Sequence, residues 1–192
     1  MDSFLPSLKP FQELKLEDPH SFGAQTYSNE YFRMKIHAQN AMERSKQVVR
    51  EVDRQFGEIF GRSYGAIEKF HWRNPRVALV TSGTITSTAR QILMEDQRFK
   101  NVGLLKIKVF RPFPSEEIAE ALKEVEKVAV IDRNISLGHK GIFSEEIQSA
   151  LAWLEKKPTV FGFITGLGGL DVTGEIIKEA MNYTLEHKKN EK

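Results

Sequence analysis

The side chains of this 192-residue chain that could do chemistry gather at a few turns. Residues 130–141, VIDRNISLGHKG, run from an apolar strand into a glycine loop and bring Asp132, Arg133, Asn134 and His139 close together in sequence. Arg111 precedes Pro112-Phe113-Pro114, whose fixed backbone holds its guanidinium in place for a carboxylate such as Asp132. Ser82, Gly83 and Thr84 in TSGT, and Gly168 and Gly169 in GLGG, offer backbone N–H groups of the kind that cradle an anion. Neither stretch has the three-glycine dinucleotide spacing or the Gly-Lys-Ser/Thr of a P-loop, so both are weak candidates. Helix capping is the plainer account, with Asp171 and Thr173 as caps after the GLGG turn.

Other chemistries find no support. His37, His71 and His139 are scattered, and His20 and His187 fall near the two ends, so no metal-ligand spacing arises. There is no cysteine and no Gly-x-Ser-x-Gly elbow, and Ser82 has no base nearby in sequence. The expected inventory is therefore no catalytic residue and no metal ligand. Asp132 reads equally as a salt-bridge partner or a base.

Composition narrows the class further. Hydrophobic residues make up 40% and charged residues 28%, as in a soluble domain able to bury a core. With 28 Lys plus Arg against 26 Asp plus Glu, charge gives no case for nucleic acid. No run of 18 apolar residues suggests a membrane span, and no basic, apolar leader opens the sequence, so the expected address is cytoplasmic. Lacking cysteine, the chain can hold no cysteine-ligated iron–sulfur cluster of its own.

Four regions position these residues. Residues 1–28 read as an extended arm: Pro6, Pro10 and Pro19 deny it regular hydrogen bonding, while Phe4, Leu5, Phe11, Leu14 and Phe22 suggest that it lies along a surface. Residues 29–74 read as a long helix and its connection. Ser28 or Asn29 is the cap, and Phe32, Ile36, Ala41, Val48, Val52, Phe56 and Ile59 fall near helical spacing, with an end at Gly57 or Gly61. Such a helix is about 45–50 Å long, against about 35 Å for the compact remainder, so an overhanging apolar face is expected, and with it a homodimer or aggregation of the isolated chain.

Residues 75–186 repeat strand then helix: Val77 to Val80 with Thr86 to Met94, Val102 to Phe110 with Ser115 to Val125, Val128 to Ile131 with Phe143 to Leu154, and Val160 to Ile164 with Asp171 to Leu185. Ser115 is the expected cap of the second helix. Units of this kind build a mostly parallel sheet with helices on both faces, whose functional loops lie at the carboxyl ends of the strands. Residues 187–192 are a frayed tail.

The order VALVTSGT, VGLLKIKVFRPFP, EEIAEALKEVEKVAVIDRNISLGHKG and SEEIQSAL, from Arg76 to Leu151, resembles the second domain of the alpha subunit of pyruvate:ferredoxin oxidoreductases and their 2-oxoacid relatives. FRPFP followed by VIDRN is the most specific part. FITGLGGLDVT is similar to the end of that subunit, and AMERSKQVVREVDRQFGEIFGRSYG to the segment joining its two domains. The resemblance implies a three-layer α/β/α fold like the transketolase C-terminal domain.

It also implies an enzyme that decarboxylates a 2-oxoacid oxidatively to acyl-CoA, with ferredoxin as electron acceptor. Thiamine diphosphate with Mg, and the iron–sulfur clusters, would then sit in other domains or subunits. The diphosphate-binding Gly-Asp-Gly and Asn pattern is missing, so the chain alone is expected to be inactive: a split subunit or an excised domain that assembles with its thiamine- and cluster-bearing partners and meets ferredoxin only through them. Arg111, Asp132, Arg133, Asn134 and His139 become the expected subunit interface. The competing reading is a free-standing α/β module that binds a nucleotide or CoA phosphate at Ser82, Gly83, Thr84, Gly168 and Gly169.

Overall fold

The computed structural model describes residues 13–20, 23 and 25–188. The chain divides into two compact units, Met1–Asn40 and Ala41–Lys192. Helix α1 (Ser28–Phe60) starts in the first and ends in the second.

In the first unit, Phe4, Leu5, Phe11 and Phe22 of the expected arm lie outside the described residues, and Leu14 is exposed rather than packed. The cap of α1 is Tyr27, not Ser28 or Asn29. Its carbonyl accepts the Tyr31 N–H at 2.9 Å, and its own N–H donates to Glu30 Oε2 at 3.2 Å. A carboxylate at the third helical position thus satisfies the entry, as in a capping box.

The 33 residues of α1 make a rod of about 50 Å. Gly57 does not stop it. Gly61 does, in the left-handed region at φ 68°, with its N–H on the Gly57 carbonyl at 2.8 Å. No residue of α1 is buried, and Val48, Val52, Ile59 and Phe60 all stand in solvent.

The second unit holds a five-stranded sheet in the order β1-β3-β2-β4-β5, made of β1 (Ile67–Phe70), β2 (Val77–Ser82), β3 (Val102–Ile107), β4 (Lys127–Asp132) and β5 (Thr159–Ile164). The last four are parallel. β1, which the sequence pattern left inside the connection, runs antiparallel along β3. Helices α2 (Ile85–Glu95), α3 (Ser115–Leu122), α4 (Ile142–Ala150) and α5 (Gly174–Glu186) complete the order.

Strand alternation makes two cores. Val77 and Leu79 point to one face, against Ala89, Ile92, Leu93, Ile177 and Met181 of α2 and α5. Ala78 and Val80 point to the other, against Ile118, Leu122, Ile147 and Leu151 around α3 and α4. Burying each large apolar side chain contributes about 1.5–3 kcal/mol, which makes the central strands the rigid part of the unit. This is the expected three-layer, mostly parallel α/β/α architecture.

Several element ends differ from expectation. β3 stops at Ile107 because the N–H groups of Lys108 and Val109 both turn to the Ala66 carbonyl. Ser115 is the first helical residue of α3 and not its cap; Pro114 supplies the carbonyl that Ile118 uses. α5 begins at Gly174, capped by Thr173 through the Ile176 N–H, while Asp171 lies outside it. Thr84 precedes α2 with no side-chain cap bond; instead the Thr81 and Thr86 hydroxyls pair at 2.9 Å in the core.

Candidate docking site

The carboxyl ends of β2, β3, β4 and β5 carry the loops that the sequence singled out. Asp132 closes β4 and is fully buried. Its Oδ1 accepts the Phe143 N–H at 2.9 Å and its Oδ2 the Ser144 N–H at 3.1 Å, both in the first turn of α4. Asn134 Nδ2 adds a third donor at 3.2 Å. Burial raises the Asp132 carboxyl above its ordinary range, the three donors working against it.

This corrects two expectations. Asp132 does not pair with Arg111, and it offers no surface to a partner. It is the anchor that fixes α4 on the end of β4, through Gly141, whose missing side chain leaves room for the carboxylate.

Asn134 has the same internal character. Its Oδ1 accepts the Ile142 N–H at 2.7 Å, so the pair Asp132 and Asn134 satisfies three donors at the start of α4. Arg111 instead pairs with Glu146, donates to the Phe110 carbonyl at 2.9 Å and lies over the Phe110 ring. His139 is exposed and holds Glu145 through Nδ1.

Arg133 alone among the five expected interface residues has neither ion pair nor hydrogen bond within the described residues. Exposed, it extends across Gly166, where an added Cβ would stand 2.9 Å from Nε. It lines a cleft of about 400 Å³ with Thr84, Ile85, Thr88, Val172 and Thr173.

Of the five expected anion-binding residues, one lines that cleft. Thr84 reaches that cleft, whereas Ser82, Gly83, Gly168 and Gly169 are not among its lining residues. Gly83, Gly168 and Gly169 have left-handed φ of 60°, 64° and 86°, so their glycine identity follows from the turns they make. Among the described residues no three His, Asp or Glu side chains are grouped to hold a metal ion.

What the sequence reading missed is apolar. Leu170 lines the cleft with Arg133, and Ile135, Leu137 and Leu167 lie on the same two rim loops, all four exposed, with Leu137 at 88% and Leu170 at 70%. Leucines on a glycine loop carry no periodic signal, so only their placement at the strand ends marks them. Large exposed leucines on the loops that carry an unpaired arginine are the makings of a protein contact, apolar surface with an ionic group on the same rim. No helix among the described residues is long and apolar enough to cross a membrane.

Comparison with known proteins decides the family. The model of the pyruvate:ferredoxin oxidoreductase core domain II matches residues 76–177. The chain belongs to this family. It is 40% identical over 185 residues to the pyruvate synthase subunit PorA of Methanothermobacter thermautotrophicus, covering 96% of this chain and 47% of that protein. It is 36% identical over 182 residues to the ketoisovalerate oxidoreductase subunit VorA of Pyrococcus abyssi, covering 93% and 46%. With the pyruvate synthase subunit PorA of Thermotoga maritima the identity is 34% over 180 residues, covering 92% and 46%. The chain thus spans about half the length of the curated relatives it matches. The core domain II match includes β2 to β5 and every rim loop described above.

Proposed function

We propose that this chain is the assembly domain of a thiamine diphosphate-dependent 2-oxoacid:ferredoxin oxidoreductase, and that it docks to the catalytic subunits through the strand-end rim. The observation that carries the reading is the family match over residues 76–177, which places Arg133 and the rim leucines inside the matched domain. The whole assembly would convert a 2-oxoacid to acyl-CoA and pass electrons to ferredoxin. Thiamine diphosphate supplies the carbanion-stabilising chemistry of such a reaction.

The donor set of this chain does not fit those groups. It has no cysteine for a cluster, and among its described residues no three His, Asp or Glu side chains are grouped to hold a metal ion. No step of the reaction is assigned to it. Its contribution is geometric: a sheet rigid enough to present Arg133, Ile135, Leu137, Leu167 and Leu170 as one surface, for which burial of the leucines would supply affinity and the arginine would set register.

The test is fractionation from the source cell. An affinity-tagged copy should co-elute with 2-oxoacid-dependent, CoA-dependent reduction of ferredoxin or a viologen dye. If that activity elutes apart from the tagged chain, which emerges alone, the reading fails.

A second reading rests on the Arg133 cleft, which Thr84, Thr88 and Thr173 line together with Arg133 and Asp171. There a CoA or nucleotide phosphate would bind the isolated chain. Calorimetric titration with CoA separates the two, since the docking surface gives no heat without its protein partner.

A further inference from the structure

The two edges of the sheet are built differently. β1 has four residues, and Glu68 and Lys69 put charges along it, a common way to keep an edge from pairing. β5, TVFGFI, has six residues and no charge or proline. A strand of that kind, left unpaired on one side, is a template for another strand.

The hydrogen bonds of β5 fix which of its groups are free. Thr159 donates to the Glu126 carbonyl at 2.9 Å, and Thr165 donates to the Asp132 carbonyl at 2.9 Å. In a parallel ladder both polar groups of one residue face the same neighbour, and successive residues alternate. Thr159, Phe161, Phe163 and Thr165 therefore bond to β4. The N–H and C=O groups of Val160, Gly162 and Ile164 point the other way, and β4 is the only strand that pairs with β5 among the described residues. Ile164 is 40% exposed.

We propose that this edge takes the β5 of a second copy of the chain, antiparallel, joining two five-stranded sheets about a two-fold axis at Gly162. The parity of the free groups dictates the register. In an antiparallel pair, residues that exchange both hydrogen bonds must both face the partner. With Gly162 opposite Gly162, Val160 lies opposite Ile164 and every free N–H and C=O of the edge is satisfied. A neighbouring register centred on Phe161 would leave Ile164 opposite Pro158, which has no N–H to give.

Three observations favour a second copy. The edge is self-complementary in that register, since the interface of a two-fold dimer must match itself. No charged residue lies between 158 and 165, so identical strands meet without like-charge repulsion. Phe161 falls opposite Phe163 at a position that is not hydrogen-bonded, where side chains approach closest; a cleft of about 440 Å³ beside it is lined by Phe163, Ile164, Ile176 and Tyr183, with Glu179 its one charged side chain. Tyr183 already holds both rings edge-on, at 6.0 and 5.9 Å, so the face beside the axis is aromatic and preformed.

The experiment is light scattering with amide exchange on the full chain. Wild type should have twice the monomer mass, falling toward one on dilution. The amides of Val160, Gly162 and Ile164 should be protected only in the dimer, while those of Phe161 and Phe163 stay protected in both.

Ile164→Pro removes an outward N–H without touching the β4 ladder, a substitution edge strands tolerate, and should give a monomer with an unchanged circular dichroism spectrum. Ile164→Lys, less demanding of the backbone, should do the same. Val52→Glu on the exposed face of α1 should leave the dimer intact. The inference is overturned if wild type is a monomer at all concentrations, if Ile164→Lys remains dimeric, or if those three amides are already protected in the monomer. Protection that appears only with a different subunit bound would give the edge to a heterologous strand and equally overturn the second copy.

Discussion

Arg133 lies across the backbone of Gly166, so close that a Cβ on the glycine would stand 2.9 Å from Nε and 2.8 Å from Val172 Cγ2. Gly166 also has a left-handed φ of 69°. Two costs therefore coincide in Gly166→Ala, backbone strain and collision, and together they should destabilise the domain by about 1–3 kcal/mol. Urea unfolding measures it. A change under about 0.5 kcal/mol would mean that the 165–173 loop simply moves aside, and that Arg133 is not held against Gly166.

Asp132 gives a prediction in which geometry and charge oppose one another. Both its oxygens accept backbone N–H groups, so Asp132→Asn must aim an amide NH₂ at one of two donors. The variant should lose about 1–3 kcal/mol although it removes a buried charge. The folded state holds the Asp132 proton more tightly than the unfolded chain does, because burial raises its carboxyl. Its contribution is therefore full below the ordinary aspartate range and declines as pH rises through the raised value. The gap between wild type and Asp132→Asn should accordingly be wider in mild acid than at neutral pH. Equal gaps at both would remove the burial argument.

The same residue shows what the sequence could and could not say. A carboxylate after an apolar run and before a glycine loop is visible as a strand end, and four strand-then-helix units, the first opening on the continuous apolar run Val77 to Val80, were enough to predict a sheet covered on both faces. Choosing between Arg111 and the α4 backbone as the Asp132 partner was not possible, because the choice depends on Gly141 letting α4 approach, a three-dimensional fact. β1 was missed for a related reason. IEKF has too few residues for a period, and pairing with β3 makes it a strand. Leu137 and Leu170 had no pattern to betray them, since exposure is a property of the loop and not of the residue.

Glu68 ties the edge strand to its surroundings. It pairs with Arg90 of α2 and with Lys108 after β3, at 2.7 Å. The hydrogen bond from Lys108 is the chief cause of a carboxyl held below its ordinary value, against partial burial. A depressed carboxyl stabilises the fold above the unfolded value and loses that effect as pH falls through the folded one. Glu68→Gln should therefore cost about 1 kcal/mol near neutrality, a modest figure because a third of the side chain remains in solvent. The deficit should shrink as wild type is acidified below the usual glutamate range. Denaturant midpoints at two pH values check this; a deficit that does not change with pH would mean the effect is packing.

Arg133 and Leu137 separate docking from folding. Neither has a part in the buried core, and Arg133 has no hydrogen-bond partner among the described residues, so replacing them should leave the isolated domain within about 0.5 kcal/mol of wild type. Their effect should appear in assembly instead. Arg133→Ala should weaken association with the catalytic subunits about tenfold, equivalent to about 1.4 kcal/mol, mainly through a slower association rate that salt reduces in wild type and not in the variant. Leu137→Asp should weaken it further by placing a charge where an apolar side chain would be covered, and should show in the dissociation rate. Surface plasmon resonance on the reconstituted subunits, beside thermal melts of the isolated chain, reads both quantities. If Arg133→Ala lowers the melting temperature in proportion to its loss of binding, the arginine is holding the Gly166 loop for the domain's own sake, and the rim must find its register elsewhere.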